Sequence, residues 1–208
     1  MKNHKEMMEK FVSKYEEFYN EYGDSSAGVG WFKAEMTGPR FEALTSHIKN
    51  NECRVLDFGC GLGHLYSYLK NTKSNYNIEY SGLDINENFY NFCKEKYPDL
   101  NFYHKDILLD DNIPNFDYII CNGTFTEKKE LTYDEMFNFV TSVLIKLWDK
   151  TNYGIAFNLM SKLVDWERDD LFHVSMDEIG LFLKDNLSKN FTIRYDYKLY
   201  EYTIYVYK

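Results

Sequence analysis

The 208-residue sequence predicts an α/β fold: a doubly wound, mostly parallel seven-stranded sheet with a C-terminal antiparallel hairpin and an N-terminal helical lid. Three observations predict it. Between residues 54 and 160 short apolar runs alternate with amphipathic helical stretches, the pattern of βαβ units that build a parallel sheet covered on both faces. The first apolar run ends in alternating glycines at 59, 61 and 63, which suits a strand stopping at a tight turn. At the C-terminus two tyrosine-rich runs lie too close together for a crossover helix and should pair antiparallel.

The elements follow from periodicity. A helix over Lys5–Tyr22 is followed by a glycine-bearing loop at Gly23–Gly30, and neither fits the later alternation. Arg54–Phe58 is the first strand, and a helix begins near Gly63 and runs to about Lys70. Ile78–Ile85 is the second strand, Glu87–Lys96 a helix stopped by Tyr97-Pro98, and Leu100–Ile107 the third strand. Phe116–Cys121 and Gly154–Met160 are the fourth and fifth strands, joined by a helix over Tyr133–Trp148. A helix at Met176–Leu187 leads into the hairpin of Phe191–Lys198 and Glu201–Tyr207. With no repeat or linker, residues 1–208 read as one domain, 1–45 as helix and lid and 46–208 as the sheet-bearing core.

A formal charge of −9 disfavours nucleic acid or an anionic membrane surface as partner, because phosphates need a basic face. The start MKNHKEMMEK is charged where a secretory signal would be apolar, and no apolar run is long enough to span a bilayer, so a cytoplasmic protein is expected. Cys53, Cys60, Cys93 and Cys121 form no C-x-x-C pair, so reduced buried thiols are expected and no metal site.

In an open parallel sheet, ligands bind beyond the carboxyl ends of the strands. Gly59, Gly61 and Gly63 stand there, ahead of a helix whose N-terminus favours an anionic group. A dinucleotide fingerprint would place its third glycine at position 64, which is His64. With Asp57 two residues before the first glycine, VLDFGCGLGHL instead resembles motif I of the class I S-adenosylmethionine-dependent methyltransferases. That resemblance implies a Rossmann-like core and S-adenosyl-L-methionine as cofactor, cradled by Asp57, Gly59, Cys60, Gly61 and Gly63.

The same resemblance assigns further positions. Asp84, 84 − 57 = 27 residues after Asp57, is implied to bind the ribose hydroxyls, and Asp106 to accept from the adenine amino group. Ile85 and Ile107 would sandwich the adenine ring. A single strand-end aspartate is commonly a turn former or helix cap, but three in register are not expected of that reading.

The acceptor side carries a weaker pattern. ICNGTFTEK places Asn122 and Phe125 where amino-group methyltransferases of this fold carry Asn/Asp-Pro-Pro-aromatic, with Gly123 and Thr124 replacing the prolines, which argues against nucleobase N-methylation. Asn122 is a candidate for contact with cofactor or acceptor, an Asn-Gly turn being the alternative. His173 is the best-placed general base, with a plain surface histidine as the alternative. Asn158, Asp165 and Trp166 should line the acceptor pocket, and Tyr22, Trp31 and Arg40 should close over it. Arg40 is expected to pair with the cofactor carboxylate, or else with Glu35 or Glu42, and Trp31 to cover the methyl donor or anchor the loop in the core.

Residues Gly28-Val29-Gly30-Trp31, IAFNLMS and DYKLYEYTIYVYK resemble small bacterial methyltransferases of surface-polysaccharide modification. This implies transfer to an oxygen of a small acceptor, a sugar or sugar-linked group. The alternatives are an N-methyltransferase of a small amine and a non-catalytic cofactor-binding protein, with a nicotinamide enzyme further behind.

Overall fold

The computed structural model describes residues 4–208; the first three residues of the expected 1–45 segment lie outside them. Strands β1 (Glu52–Phe58), β2 (Asn77–Asp84), β3 (Asn101–His104), β4 (Phe116–Cys121), β5 (Thr151–Ser161), β6 (His173–Val174), β7 (Phe191–Arg194) and β8 (Glu201–Tyr207) alternate with helices. The helices are α1 (His4–Tyr22), α2 (Thr37–Thr45), α3 (His64–Thr72), α4 (Glu87–Lys96), α5 (Tyr133–Lys150) and α6 (Met176–Asn186).

The strands order as β3-β2-β1-β4-β5-β8-β7, with the two-residue β6 paired to the end of β5. β1 to β5 are mutually parallel, and β8 runs antiparallel to β5 and β7, as the spacing of the tyrosine-rich runs requires. The sheet has eight strands rather than seven, because two residues are too few for a periodicity to register.

Successive residues on each strand feed opposite cores. Leu56, Ile119, Ile155 and Ile204 pack with α5 and α6, whereas Val55, Ile120, Ala156 and Tyr205 pack with α2, α3 and α4. This is the period-2 alternation of a sheet buried on both faces. Local chemistry sets the helix starts. Thr132 and Glu135 form a capping box on α5, Asn86 caps α4 through the amides of Asn88 and Phe89, and Ser175 caps α6.

Three boundaries differ from expectation. Helix α2 occupies part of the expected lid; Pro39 sits in its first turn, where a missing N–H costs nothing. β3 stops at His104, because the Asp106 carbonyl accepts from Leu109 and Asp110 and turns the chain. β7 ends at Arg194, where the tip of the hairpin bends through Lys198 in the left-handed region.

Helix α1 lies across the C-terminal ends of the strands. Tyr15 and Tyr19 meet Phe89 of α4 edge-on, at ring separations of 6.5 and 5.8 Å, and Asn88 Nδ2 donates to Glu16 at 2.9 Å. No helix among the described residues is long and apolar enough to cross a membrane.

Candidate active site

Under α1 a cavity of about 180 Å³ opens between the tips of β1, β2 and β4. Its floor is the β1–α3 turn. The Gly61 amide donates to Asp84 Oδ2 at 2.8 Å, with φ +52°, and a Cβ at this position would press on Val29 of the lid loop at 2.9 Å. Only glycine serves there, since the left-handed backbone and the close approach of the lid both exclude a side chain.

Asp57, Asp84 and Asp106 all line this cavity, as do Gly59, Cys60, Ile85, Ile107, Asn122 and Trp31. Burial pushes the Asp57 carboxyl up to about 7, helped by the charge of Asp84 and opposed by the Tyr80 hydroxyl, which donates to Asp57 Oδ2 at 2.7 Å. Burial also raises Asp84, against the hydrogen bonds of the Asn86 and Gly61 amides. Asp106 accepts from the Leu108 amide at 3.0 Å and lies 2.5 Å from His4 Nε2 of α1. Gly63 caps α3 at φ +73° and packs against Tyr97, outside the residues that line the cavity.

The opposite wall is the loop after β4. The Gly123 amide donates to Asn158 Oδ1 at 2.7 Å, and the Thr124 hydroxyl donates to the Phe58 carbonyl at 2.9 Å. Asn122 faces the cavity with its Oδ1 buried and without a hydrogen-bond partner. An unpaired buried acceptor is costly and points to a donor supplied from outside the chain. Phe125, expected to touch acceptor, is fully buried between Phe58 and Phe157. Asn158 is likewise buried behind the wall and shapes the loop through Gly123 instead of lining the pocket.

The other acceptor-side expectations are corrected. His173 is buried in β6, its Nδ1 2.6 Å from the Ser161 carbonyl and its Nε2 accepting from the Arg168 amide at 3.3 Å. Both ring nitrogens therefore have backbone partners within the fold, and the ring does not line the cavity. Trp166 is 74% exposed, and Asp165 lines a separate surface depression with Tyr195 and Tyr200. The charged loop after β5 turns outward before β6 returns the chain to pair with the end of β5.

In the lid, Tyr22 is exposed and packs edge-on against Phe32 at 5.6 Å, away from the cavity. Arg40 is buried, its Nε 2.5 Å from Glu201 Oε1 and its guanidinium 3.9 Å from the centre of the Trp31 ring. It is thus unavailable for the expected pairing with a cofactor carboxylate, and its partner is neither Glu35 nor Glu42.

Sequence reasoning missed the roof of the cavity. Met8, Phe11, Val12 and Tyr15 of α1 line it, at the i, i+3, i+4, i+7 spacing of one helix face, the signal that was there to be read. Glu127 also lines it, 3.3 Å from Lys129 Nζ. Burial together with the charges of Glu127 and Asp84 drives the Tyr15 phenol far above its usual range. His64, the residue that departs from the dinucleotide spacing, lines the cavity and reaches Asp24 of the lid at 3.1 Å.

The family model of the methyltransferase domain matches residues 49–172. A Mycobacterium tuberculosis protein assigned to the methyltransferases, Rv1506c, is 26% identical over 157 residues, 74% of this chain and 92% of that protein. Among solved structures, magnesium protoporphyrin IX methyltransferase of Synechocystis PCC 6803, with S-adenosylhomocysteine bound, is similar at a TM-score of 0.68 and 16% identity, covering 99% of this chain and 100% of that one. The 1,6-didemethyltoxoflavin-N1-methyltransferase of Burkholderia thailandensis gives 0.67 and 15%, covering 100% and 91%. These two likenesses concern the fold, while the match over residues 49–172 places the family: the chain belongs to the methyltransferase-domain family of class I S-adenosylmethionine-dependent enzymes.

Proposed function

We propose that the chain transfers the methyl group of S-adenosylmethionine to a hydroxyl oxygen of a small, uncharged acceptor. The observation that carries this reading is Asn122 Oδ1, a buried acceptor without a partner in the cavity wall. It suits an acceptor that brings its own hydrogen-bond donor, which in this reading is the hydroxyl O–H. When bound, the cofactor supplies an electrophilic methyl group on a sulfonium with a neutral leaving group.

The residues present fit that cofactor. Asp84 presents a carboxylate to the ribose hydroxyls, Ile85 and Ile107 supply apolar faces for a purine, and Asp57 places an anion beside the glycine turn for the cofactor's cationic groups. Asp106 is placed to accept from an exocyclic amine, with His4 as its present partner. Orientation by Asn122 and exclusion of water under the apolar face of α1 would provide most of the rate enhancement. Glu127 is the cavity carboxylate on the β4-loop side and the candidate to receive the hydroxyl proton.

The acceptor's charge follows from the cations nearby. Lys105 is paired with Asp110 and His64 with Asp24, so the two cationic side chains that line the cavity already have carboxylate partners, which favours an uncharged acceptor. Burial of Phe125 removes the aromatic that an amine-bearing ring would need at that position, which favours oxygen over nitrogen. A sugar or sugar-linked hydroxyl remains within this class on the strength of the sequence resemblance.

The test is release of S-adenosylhomocysteine across matched panels of hydroxylated compounds, sugars included, and amines. Turnover with hydroxylated acceptors, lost in Asn122→Ala, is expected; turnover confined to amines would overturn oxygen transfer.

A further inference from the structure

Five residues from five separate segments form a ring beside the cavity. Arg40 of α2 binds Glu201 at the start of β8, with Nε 2.5 Å from Oε1, and its guanidinium lies on the Trp31 indole at 3.9 Å. Trp31 in turn lies so close to Gly123 that any Cβ there would collide with the indole. The Gly123 amide donates to Asn158 Oδ1 at 2.7 Å on β5. The last link is looser. Asn158 lies near enough to Glu201 to lower the pKa of its carboxyl, yet Asn158 Nδ2 and Glu201 Oε2 are both buried without a hydrogen-bond partner.

Strand register explains how distant segments meet. Glu201 pairs with Met160 and Thr203 with Asn158, so β8 carries its carboxylate to the same end of the sheet where β4 releases the Asn122 loop. A buried ion pair gives up hydration and is weak evidence for stability, so its retention asks for another reason. Gly123, at φ +71°, is the residue next to Asn122, and any shift of its peptide moves the Asn122 carbonyl.

We propose that Arg40 and Glu201 are positioning residues, which through Trp31 clamp the Gly123 turn and so hold Asn122 Oδ1 at the cavity wall. The proposal rests on the reading of this cavity as the S-adenosylmethionine site. The ring couples the lid to the reaction loop. Trp31 covers the turn only while Arg40 lies between it and Glu201, so cofactor affinity and lid order should fall together.

The protein has three tryptophans, so a Trp148→Phe, Trp166→Phe background leaves Trp31 as its own reporter. In that background, Arg40→Met with Glu201→Leu removes both charges while keeping volume, and Arg40→Lys keeps the ion pair but loses the planar stack. Each is measured by thermal melting, acrylamide quenching of Trp31, and calorimetric titration with S-adenosylhomocysteine. The double variant is expected to melt within a few degrees of its parent, to quench more readily, and to bind about tenfold more weakly. Arg40→Lys should shift quenching and affinity the same way by about threefold.

Unchanged quenching and affinity in a folded double variant, or in Arg40→Lys should the double variant not fold, would overturn the clamp. If the parent itself bound no S-adenosylhomocysteine, the cofactor reading of the cavity would fail, and the quenching comparison would still judge the clamp on its own.

Discussion

The two halves of the cavity are built differently. The wall from β1, β2 and the turn after β3 is made by residues at the ends of consecutive strands: Asp57 with Gly59 and Gly61, then Asp84 with Ile85, then Asp106 with Ile107. Its key contacts run between backbone amides and carboxylates a few residues from a strand end, such as Gly61 N to Asp84. The wall from the β4 loop and the lid depends on side chains brought from far along the chain, with Arg40 and Glu201 meeting 161 positions apart. A site made of strand ends inherits its geometry from sheet topology, whereas a site made of long-range pairs exists only after the chain has closed.

If that contrast is right, damage to the first wall should remove binding outright. Asp84→Ala is expected to weaken S-adenosylmethionine about a hundredfold in a calorimetric titration, since it removes a charged acceptor from the cofactor and strands the Gly61 and Asn86 amides. Unchanged affinity would show that Asp84 does not hold the cofactor.

Asp57 sits at about 7 in the folded protein against an ordinary 3.8, so its protonated form contributes stability that is complete below the ordinary value and lost as pH rises through about 7. A cationic ligand favours the ionised form. Cofactor affinity is therefore expected to rise about tenfold between about pH 6 and about pH 8, a dependence that flattens in Asp57→Asn. A flat profile in the parent would show that Asp57 does not face the cofactor's charge.

For the side chains that the fold withdraws from the cavity, the expected effects are smaller and of another kind. His173→Ala should cost about 2 kcal/mol in denaturant unfolding, because it leaves the Ser161 carbonyl and Arg168 amide without their partner, while cofactor affinity stays within about twofold. A lost affinity at full stability would return His173 to the chemistry. Trp166→Ala is expected to change neither stability, by more than about 0.5 kcal/mol, nor cofactor affinity.

What was legible follows the same division. Glycine spacing, the strand-end acids and the alternation of elements are local signals, and the structure bears out the sheet, its antiparallel edge and the helix before the core. The roof of the cavity was also legible, as the Met8, Phe11, Val12 and Tyr15 stripe, although a helix face alone does not say what it covers. Helix α2 and strand β6 escaped, one because Gly38-Pro39 reads as a break and the other because it is two residues long.

On the acceptor side, tertiary structure decided which of the expected polar side chains face the cavity. His173 and Asn158 had been placed by the topological argument that residues at or after the end of the fifth strand line the acceptor side, yet the register of β5 with β6 and β8 turns both inward as supports. Arg40 had a lid position and a fitting charge, and a buried carboxylate on the last strand claimed it. The strand-end residues that meet at one wall of the cavity were legible in the sequence, because strand ends and glycine turns are coded within a few residues. The acceptor half waited on the folded chain, since a side chain's partner across more than a hundred residues is chosen by packing and desolvation, which no local pattern carries.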